Sequence, residues 1–388
     1  MNNKVAIVRC ADYTVDKVYR ALKLAVESAG GLDAAGKTVL LKPNILFDAA
    51  PEKAICTHPG FLEAAIQLLN EMGAKRIIVG DSPGLQPPGF SAKTSGIGAV
   101  VKKTGSEWRD FTKGKIELSG QDGRVMKVFT VTDALKEADF VISLPKLKTH
   151  QLMYFTGAMK NLFGLIPTLT KSTFHVRFPS QESFAAMITD LNLAVKPAYA
   201  FMDAIIAMEG PGPSAGKPRK LGLVLASSNL LALDAAACGI IGYPPDKIPI
   251  NREALSRNYW LKGFDEIEYP CLTVEEVKVT DFVKVHLKKS LGPRVRGLRA
   301  PSQLLDFLLP KPIRCLRDAL SSRPGIDRSL CIRCGDCTRI CGSRAMELKG
   351  EGKEKYVHID YRRCIRCYCC HEICPVHAIE VKKAGLGR

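Results

Sequence analysis

The sequence predicts two folded units: an α/β domain with a mostly parallel, layered sheet, and a small C-terminal α+β domain. Up to about residue 285, short β-branched runs alternate with amphipathic stretches of ten to sixteen residues, as strands and helices do in parallel sheets. From residue 326 onward, nine cysteines fall in two runs, and eight of them occupy matching positions. We therefore place the α/β domain at residues 1–285, a basic linker at 286–325 and the small domain at 326–388.

The elements of the large domain follow from the period of its apolar residues. Short continuous runs predict strands, and apolar residues that recur every three or four positions predict helices. The predicted strands are 5–10, 38–46, 76–84, 125–132, 140–148, 198–210 (ending in a loop), 220–229 and 273–282. The predicted helices are 14–30, 58–75, 132–139, 180–195 and 229–242. The glycine-rich residues up to about 124 carry no clear pattern.

Two cysteine runs, CIRCGDCTRIC and CIRCYCCHEIC, organise the small domain and start thirty-three residues apart. Three thiolates separated by two residues each can reach three iron corners of one cube, whereas the fourth, three residues further on, points to the other cube. One [4Fe–4S] cluster then takes Cys331, Cys334, Cys337 and Cys374, and the second takes Cys364, Cys367, Cys370 and Cys341. The alternatives are zinc, which usually draws on two separated C-x-x-C pairs, and a disulfide framework.

About the last sixty residues closely resemble bacterial two-cluster ferredoxins. Pro375 follows the second trailing cysteine as in that family, but Gly342 follows the first, which loosens one turn without removing a ligand. Cys369 is surplus to the eight ligands, and we interpret it as a bystander thiol beside a cluster.

The net charge and the hydropathy of the chain limit the kinds of partner that we expect. The chain has 56 basic and 39 acidic residues, a formal charge of +17, and ten basic against three acidic residues lie between 286 and 328. This excess predicts docking on a redox partner protein with an acidic surface or on the chain's own large domain, whereas no nucleic-acid motif appears and nucleic acid is not expected. No run of eighteen apolar residues and no signal peptide is found, so we expect a cytoplasmic protein without a transmembrane segment. Basic residues before LLDFLL predict weak peripheral membrane contact, or a linker that packs on the domain.

Polar residues recur where the predicted strands end. Open parallel sheets bind ligands at the carboxyl ends of their strands, so these residues are expected to line one crevice that holds a small anion. They are Cys10, Lys42, Asn44, Asp81, Lys146, Lys148, His150 and Asp203. The alternative is that they are ordinary caps and turn residues.

The stretch 146–164, KLKTHQLMYFTGAMKNLFG, is the strongest signal outside the cysteines. Thr156 and Gly157 read as a loop that opens a short helix, whose free amides would attract an anion near Lys160 and Asn161. Neither a P-loop nor G-x-G-x-x-G is present, so no nucleotide is specifically indicated. His150, beside Lys148, is the candidate proton donor, with simple anion contact as the alternative.

A second metal site is a weaker hypothesis. Cys56 and His58, two positions apart, could join Cys10 or His150 in a metal site or nucleophilic pair. The alternative for His58 is capping of the helix that Pro59 begins.

The motifs LLKPNIL, CTHPGF, GDSPG, SLPKLKTH, TGAMKNLFG and MDAIIAMEGPGPSAG together resemble the family called domain of unknown function 362, over about the first 285 residues. Members of that family are often fused to a two-cluster ferredoxin module. The resemblance implies the same domain division and a site at the strand ends, but it supplies no reaction.

These observations lead to a hypothesis of an iron–sulfur oxidoreductase whose clusters exchange electrons with an anionic substrate or cofactor in the large domain. The alternatives are a non-catalytic electron carrier, a docking or assembly subunit of a larger redox complex, and a factor that delivers clusters or cofactors.

Overall fold

A computed structural model describes residues 2–85, 90–287 and 322–382. Its large domain contains a nine-stranded sheet in the described part of the chain. The strands of that sheet are β1 (Ala6–Arg9), β2 (Thr38–Pro43), β3 (Arg76–Asp81), β4 (Glu107–Asp110), β7 (Phe140–Leu144), β8 (Lys146–His150), β9 (Tyr154–Thr156), β10 (Tyr199–Glu209) and β11 (Lys217–Ser227). A separate hairpin joins β5 (Lys115–Ser119) to β6 (Val128–Thr132).

The main path of the sheet runs in the order β1, β11, β10, β7, β2, β3 and β4. Strands β10, β7, β2, β3 and β4 are parallel neighbours, whereas β1 and β11 form an antiparallel edge. The prediction of an α/β fold with a mostly parallel sheet is confirmed.

Helices cover both faces of the sheet. They are α1 (Val15–Ser28), α2 (Pro59–Glu71), α3 (Ile97–Thr104), α4 (Ala134–Glu137), α5 (Ala158–Asn161), α6 (Thr168–Arg177), α7 (Gln181–Val195), α8 (Leu230–Ile240), α9 (Pro249–Leu255) and α10 (Val274–Val277). Side chains alternate across a strand, so Val39 and Leu41 pack with α1 and α2, while Leu40 packs in the core that contains α7 and α8. In the described residues, no helix combines the length and apolar character needed to cross a bilayer.

Pro145 separates β7 from β8 and redirects the chain. Strand β10 pairs with β7 through its first residues and then with β8, and its Asp203 amide donates to the Pro145 carbonyl at 2.9 Å. The predicted strand 140–148 is therefore two strands, because proline has no N–H to continue the ladder. By alternation, Lys146, Lys148 and His150 share one face of β8, and all five residues of β8 are buried.

The small domain consists of two repeats of a strand, a helix and a second strand. Its elements are β12 (Arg323–Ile326), α11 (Asp336–Ile340), β13 (Met346–Lys349), β14 (Tyr356–Ile359), α12 (Cys369–Ile373) and β15 (Ile379–Lys382). Adding thirty-three to the bounds of β12, α11 and β13 gives those of β14, α12 and β15. The halves are interlaced, because β12 pairs with β15 and β13 with β14. Even the positive φ angle of Arg333, 59°, recurs at Arg366.

Two expectations need adjustment. The predicted strand at 273–282 is wrong: Thr273 and Glu276 form a capping box that starts helix α10. Most of the predicted linker, including LLDFLL, lies outside the described residues. Strand β12 begins at Arg323, inside the stretch assigned to the linker, because it pairs with β15.

The two domains pack closely, and Gly342 is one reason. A Cβ added at Gly342 would lie 2.6 Å from the Ser172 carbonyl oxygen and 3.1 Å from Val176 Cγ2 on helix α6. The residue that departs from the ferredoxin pattern is thus the one that lets the first cysteine run approach the large domain.

We expect Gly342→Ala to force α6 and the small domain apart, at a cost of about 1–3 kcal/mol for overpacking against backbone. Amide hydrogen exchange should quicken in residues 171–177 and 336–342. Gly84→Ala is the matched control, since its Cβ would make ordinary contacts of 3.6 Å with Ile373 and 3.8 Å with Leu46. Equal exchange in both variants would contradict this account of Gly342.

Candidate functional site

Lys42 and Asp81, at the ends of neighbouring parallel strands, form a buried ion pair. Lys42 Nζ lies 2.8 Å from Asp81 Oδ1, and the side chains are 1% and 3% exposed. Burial lowers the pKa of Lys42, and the Asp81 charge opposes that shift. Gly164, the last residue of the KNLFG motif, makes room for the pair: a Cβ there would lie 2.2 Å from Asp81 Oδ1.

Two asparagines connect this pair to β8. Asn161 donates from Nδ2 to the Lys42 carbonyl at 2.9 Å and accepts at Oδ1 from Asn44 Nδ2 at 3.2 Å. Asn44 Oδ1 in turn accepts from Lys148 Nζ at 2.6 Å, and Lys148 also donates to the Ile55 carbonyl at 2.7 Å. No carboxylate of the described residues pairs with Lys148, and burial lowers the pKa of Lys148 to about 7.

Lys146 belongs to a second buried pair. Its Nζ lies 2.8 Å from Asp203 Oδ2 and donates to the Tyr13 hydroxyl at 2.7 Å. Asp203 also accepts from the Tyr13 hydroxyl at 2.8 Å and from the His58 amide at 3.0 Å. Lys146 is thus fully engaged and does not share contacts with Asn44 or Asn161.

His150 faces the small domain. Its Nδ1 accepts from the Leu152 and Met153 amides at 3.1 and 3.3 Å, so the proton of the neutral ring sits on Nε2. That Nε2 lies 3.2 Å from Glu372 Oε1, although the two atoms are not aligned as a hydrogen bond. Burial lowers the pKa of His150 well below its ordinary value, so the ring is neutral at pH 7. A role in proton transfer stays a prediction.

The expected anion site at the start of α5 is already filled by the protein. The amides of Ala158 and Met159 donate to the two carboxylate oxygens of Asp234, at 2.6 and 3.0 Å. Gly157 is required there, because a Cβ would lie 2.1 Å from Asp234 Oδ1. Burial raises the pKa of Asp234 to about 7. The free helix amides predicted from the sequence are therefore not available to a ligand.

A cavity of about 100 Å³ lies between the two domains, and we call it the interdomain cavity. The large domain lines it with Lys42, Asn44, Asp81, Lys160, Asn161, Lys171 and His175, among others. The small domain contributes Ile340, Cys369, Glu372 and Ile373. The structure thus brings three of the eight predicted strand-end residues, Lys42, Asn44 and Asp81, to one place with Lys160 and Asn161, and the small domain lines the other side of that place.

Two lysines of this cavity lack a carboxylate partner. The Lys160 ammonium group has no hydrogen bond or ion pair with any described residue, and burial lowers the pKa of Lys160 while the Glu372 charge opposes the shift. Lys171 donates to the Ser82 carbonyl, and burial lowers its pKa to about 7. An anion in the cavity would restore the charged form of both side chains.

The cysteines of the small domain surround two further cavities, which we call the cluster cavities. One is lined by Cys331, Cys334, Cys337 and Cys374. The other is lined by Cys341, Cys364, Cys367 and Cys370, together with Cys369. These are the two crossed sets that the spacing predicts.

The donor sets fit iron–sulfur clusters. No three His, Cys, Asp or Glu side chains in the described residues are grouped to hold a single metal ion, which an arrangement for zinc would require. The Ala345 amide donates to Cys341 Sγ and the Ala378 amide to Cys374 Sγ, both at 3.2 Å. Each trailing cysteine therefore has one N–H···S bond, of the kind that tunes reduction potentials.

The residues considered for a separate metal site have other partners. Cys10 Sγ donates to the Asp12 carbonyl at 3.4 Å and Cys56 Sγ to the Phe47 carbonyl at 3.2 Å. His58 caps α2 by accepting from the Gly60 amide at 3.1 Å, and its ring stacks on Tyr13 at 3.5 Å.

Three residues escaped the sequence analysis. Lys171 lies on α6, a helix that was not predicted. Glu372 lies within the second cysteine run, where the spacing indicated only cluster binding. Asp234 lies in the predicted helix 229–242 and was given no role from the sequence. A charged residue in a run that is otherwise apolar was the signal available for Asp234.

We expect Asp203→Asn to lower the free energy of unfolding of the large domain by about 3–5 kcal/mol, because Lys146 is then buried without a counter-ion. Asp203→Asn combined with Lys146→Met should recover much of that loss. Calorimetry on anaerobic protein measures both.

Asp12→Asn serves as the control, since Asp12 and Lys17 form an exposed pair whose loss should leave the transition unchanged. If the double variant is as unstable as Asp203→Asn, the pair is not what stabilises this edge of the sheet.

Comparison with known proteins agrees with both resemblances. Residues 39–239 match the family described as domain of unknown function (DUF362), and residues 330–378 match the 4Fe-4S dicluster domain. A thylakoid-associated protein of Synechocystis sp. is 31% identical over 253 residues, which cover 64% of this chain and 78% of that protein.

Two solved structures are similar to part of this chain. The lactate racemase apoprotein from Thermoanaerobacterium thermosaccharolyticum has 13% identity and a TM-score of 0.38, and covers 59% of this chain. A Thermotoga maritima protein has 14% identity and a TM-score of 0.37, and covers 60%. The match spans only 55% and 59% of those two chains, and neither bears on the activity.

The DUF362 match takes in 201 of 388 residues, more than half of the chain. The dicluster match supports 4Fe–4S binding and an iron–sulfur electron-transfer role for the small domain. The chain belongs to the DUF362 family and carries a 4Fe-4S dicluster domain after it.

Proposed function

We propose that this chain is an iron–sulfur redox protein that passes single electrons between an external redox partner and an anionic substrate or cofactor in the interdomain cavity. When bound, a [4Fe–4S] cluster accepts and releases one electron at a time. In this proposal the two sets of four cysteines hold two such clusters, and the lysines and asparagines of the cavity hold the anion.

The position of Cys369 is the observation that carries the proposal. This residue lines both the interdomain cavity and the cluster cavity formed by Cys341, Cys364, Cys367 and Cys370. A ligand beside Lys160 is therefore separated from that cluster cavity by little more than one side chain. The extra cysteine thus forms the wall between a redox centre and a binding site.

The charges around the cavity support an anionic ligand. Within the described residues, Lys42 is paired with Asp81, but Lys148, Lys160 and Lys171 have no ion pair. Buried ammonium groups are costly unless a negative charge or hydrogen bonds compensate them. Glu372 offers one carboxylate against these three amines, so a bound anion completes the balance.

The enclosure of the cavity supports a redox reaction rather than simple docking. Phe163, Ile340 and Ile373 line it beside the charged groups. Water is therefore limited on the apolar side, and electrostatic interactions inside are stronger than at a surface. The tether also keeps the cluster domain at high effective concentration beside the site.

Sulfate affinity should fall as the pH rises, because sulfate keeps its charge while Lys171, with a pKa of about 7, loses its proton. Above pH 7 we expect a fall of about tenfold per pH unit. Lys171→Arg should make this pH dependence weaker and leave only the part that Lys160 and Lys148, whose pKa values are also lowered, contribute. Titration calorimetry between pH 6 and 9 measures the affinity.

The exposed Lys102→Arg, on helix α3, is the control and should leave the pH dependence unchanged. Equal sulfate affinity at pH 6 and pH 9, or no binding at either, would remove the support for an anion held by these lysines.

Sulfate should also lower the reduction potential of one cluster, because a negative charge beside Cys369 disfavours adding an electron. The expected shift is on the order of tens of millivolts. Lys160→Met should lower that potential without sulfate and abolish the sulfate effect, whereas Lys102→Met should do neither. An anaerobic redox titration followed by electron paramagnetic resonance measures each cluster.

If the reduction potentials of the unmodified protein, with both clusters intact, do not change when sulfate is added, the proposal is contradicted. The large domain would then be better described as a docking scaffold.

A further inference from the structure

The two cysteine loops of the small domain have the same backbone but different surroundings. Residues 330–334 and 363–367 are related by the thirty-three-residue repeat, and the central arginines Arg333 and Arg366 share a φ of 59°. Any difference in how the loops are used must therefore come from the side chains and from what covers them.

The second loop is covered by the protein's own large domain. Cys367 packs in an apolar cluster with Phe47 and Leu85 of the large domain and with Cys369 and Ile373 of helix α12. The interdomain cavity lies next to this cluster, because Cys369 and Ile373 line it together with Glu372 and with Ile340 of α11.

The first loop is open. Leu330 and Ile332 are 50% and 59% exposed, and Cys334, a cysteine of the first cluster cavity, is also exposed. No described residue of the large domain takes the place that Phe47 and Leu85 take at the second loop. Two large apolar side chains therefore stand in water beside a cysteine of the cluster cavity.

Positive charge surrounds this apolar patch. Arg328 and Arg333 flank Leu330 and Ile332 in the chain, and neither has an ion pair with a described residue. Arg328 lies over the Tyr356 ring at 5.2 Å, which holds its guanidinium at the surface. Of the nearby acidic residues, Asp327 accepts a hydrogen bond from the Ser329 hydroxyl, and Asp336 forms an ion pair with Arg339.

We propose that Arg328, Leu330, Ile332, Arg333 and Cys334 form the docking surface for the external electron carrier, a protein with an acidic rim around an apolar centre. The inference rests on the proposed electron-transfer function. The carrier loses one electron and the centre held by Cys331, Cys334, Cys337 and Cys374 gains it. An exposed apolar centre with a charged rim is the anatomy of a transient protein interface.

A second copy of this chain fits the surface less well. Two molecules with a formal charge of +17 repel each other, and bringing arginine rims together adds to that repulsion. An acidic carrier is attracted by the same charges, and its association should be fast and sensitive to salt.

The test uses a plant-type [2Fe–2S] ferredoxin with an acidic surface as the probe. Its binding to the holoprotein, with both proteins oxidised, is measured by interferometry, and protection from hydrogen exchange is mapped. Its electron transfer is measured by stopped flow with the probe reduced. We expect protection at residues 328–334, and at least a tenfold loss of affinity and rate in Arg333→Glu and in Leu330→Ser at low salt. The Arg333→Glu effect should shrink at 0.5 M salt.

Matched controls separate this surface from general effects. Leu24→Ser removes a leucine that is also 50% exposed, on helix α1, and Lys102→Glu changes the net charge equally. Both should behave as the unmodified protein. Iron content and circular dichroism show that each variant is folded, and because no cavity ligand is added, failure here is distinct from failure of the anion site.

Three results would overturn the docking surface. The first is binding and rates within twofold of the unmodified protein in both loop variants. The second is protection that maps elsewhere. The third is that residues 328–334 become protected from hydrogen exchange only when the chain self-associates, as seen by sedimentation, or only when vesicles of anionic lipid are added. Protection on self-association would assign the surface to a second copy, and protection on vesicles would assign it to a membrane.

Discussion

An ammonium group in a water-poor interior must find negative charge or several oxygen acceptors, and this constraint shapes the carboxyl edge of the sheet. Lys42 is held by Asp81 and Lys146 by Asp203, each at 2.8 Å and each across two strands. The strands cannot slide past one another without separating these charges. The edge is therefore a rigid frame, on which the side chains that lack a carboxylate, such as Lys160, can be kept in place for a ligand.

The same constraint explains several small residues of the chain. Gly157 lets Asp234 reach the first amides of α5, and Gly164 lets Lys42 and Asp81 meet. A methyl group at either position would collide with a carboxylate oxygen. The motif TGAMKNLFG therefore combines packing with function: its glycines admit two internal carboxylates, whereas Asn161 and Lys160 face the cavity.

Sequence reasoning succeeded where the determinant is local. Cluster ligands must recur at short fixed spacings, so the two cysteine sets could be read from the chain, and the structure groups them the same way. Strand ends meet at one edge of a parallel sheet, so Lys42, Asn44 and Asp81 could be placed together. Which of the strand-end residues pair could not be found this way, because pairing depends on the strand order: Lys146 pairs with Asp203, 57 residues away, and His150 lies near Glu372 of the other domain. The short pattern at 273–282 favoured a strand because its capping box went unnoticed.

The repeat in the small domain gives the protein two equivalent ends, and the large domain makes them unequal. Phe47 and Leu85 of the large domain pack against Cys367 and helix α12 beside the cavity, while Leu330 and Ile332 remain in water at the other end. A symmetric pair of redox centres has no direction of its own. In the proposed function, electrons enter at the open end, beside Arg328 and Arg333, and are used at the end that the lysine-rich site covers. In that proposal the direction comes from packing between the domains, and the two sets of cysteine ligands can stay alike.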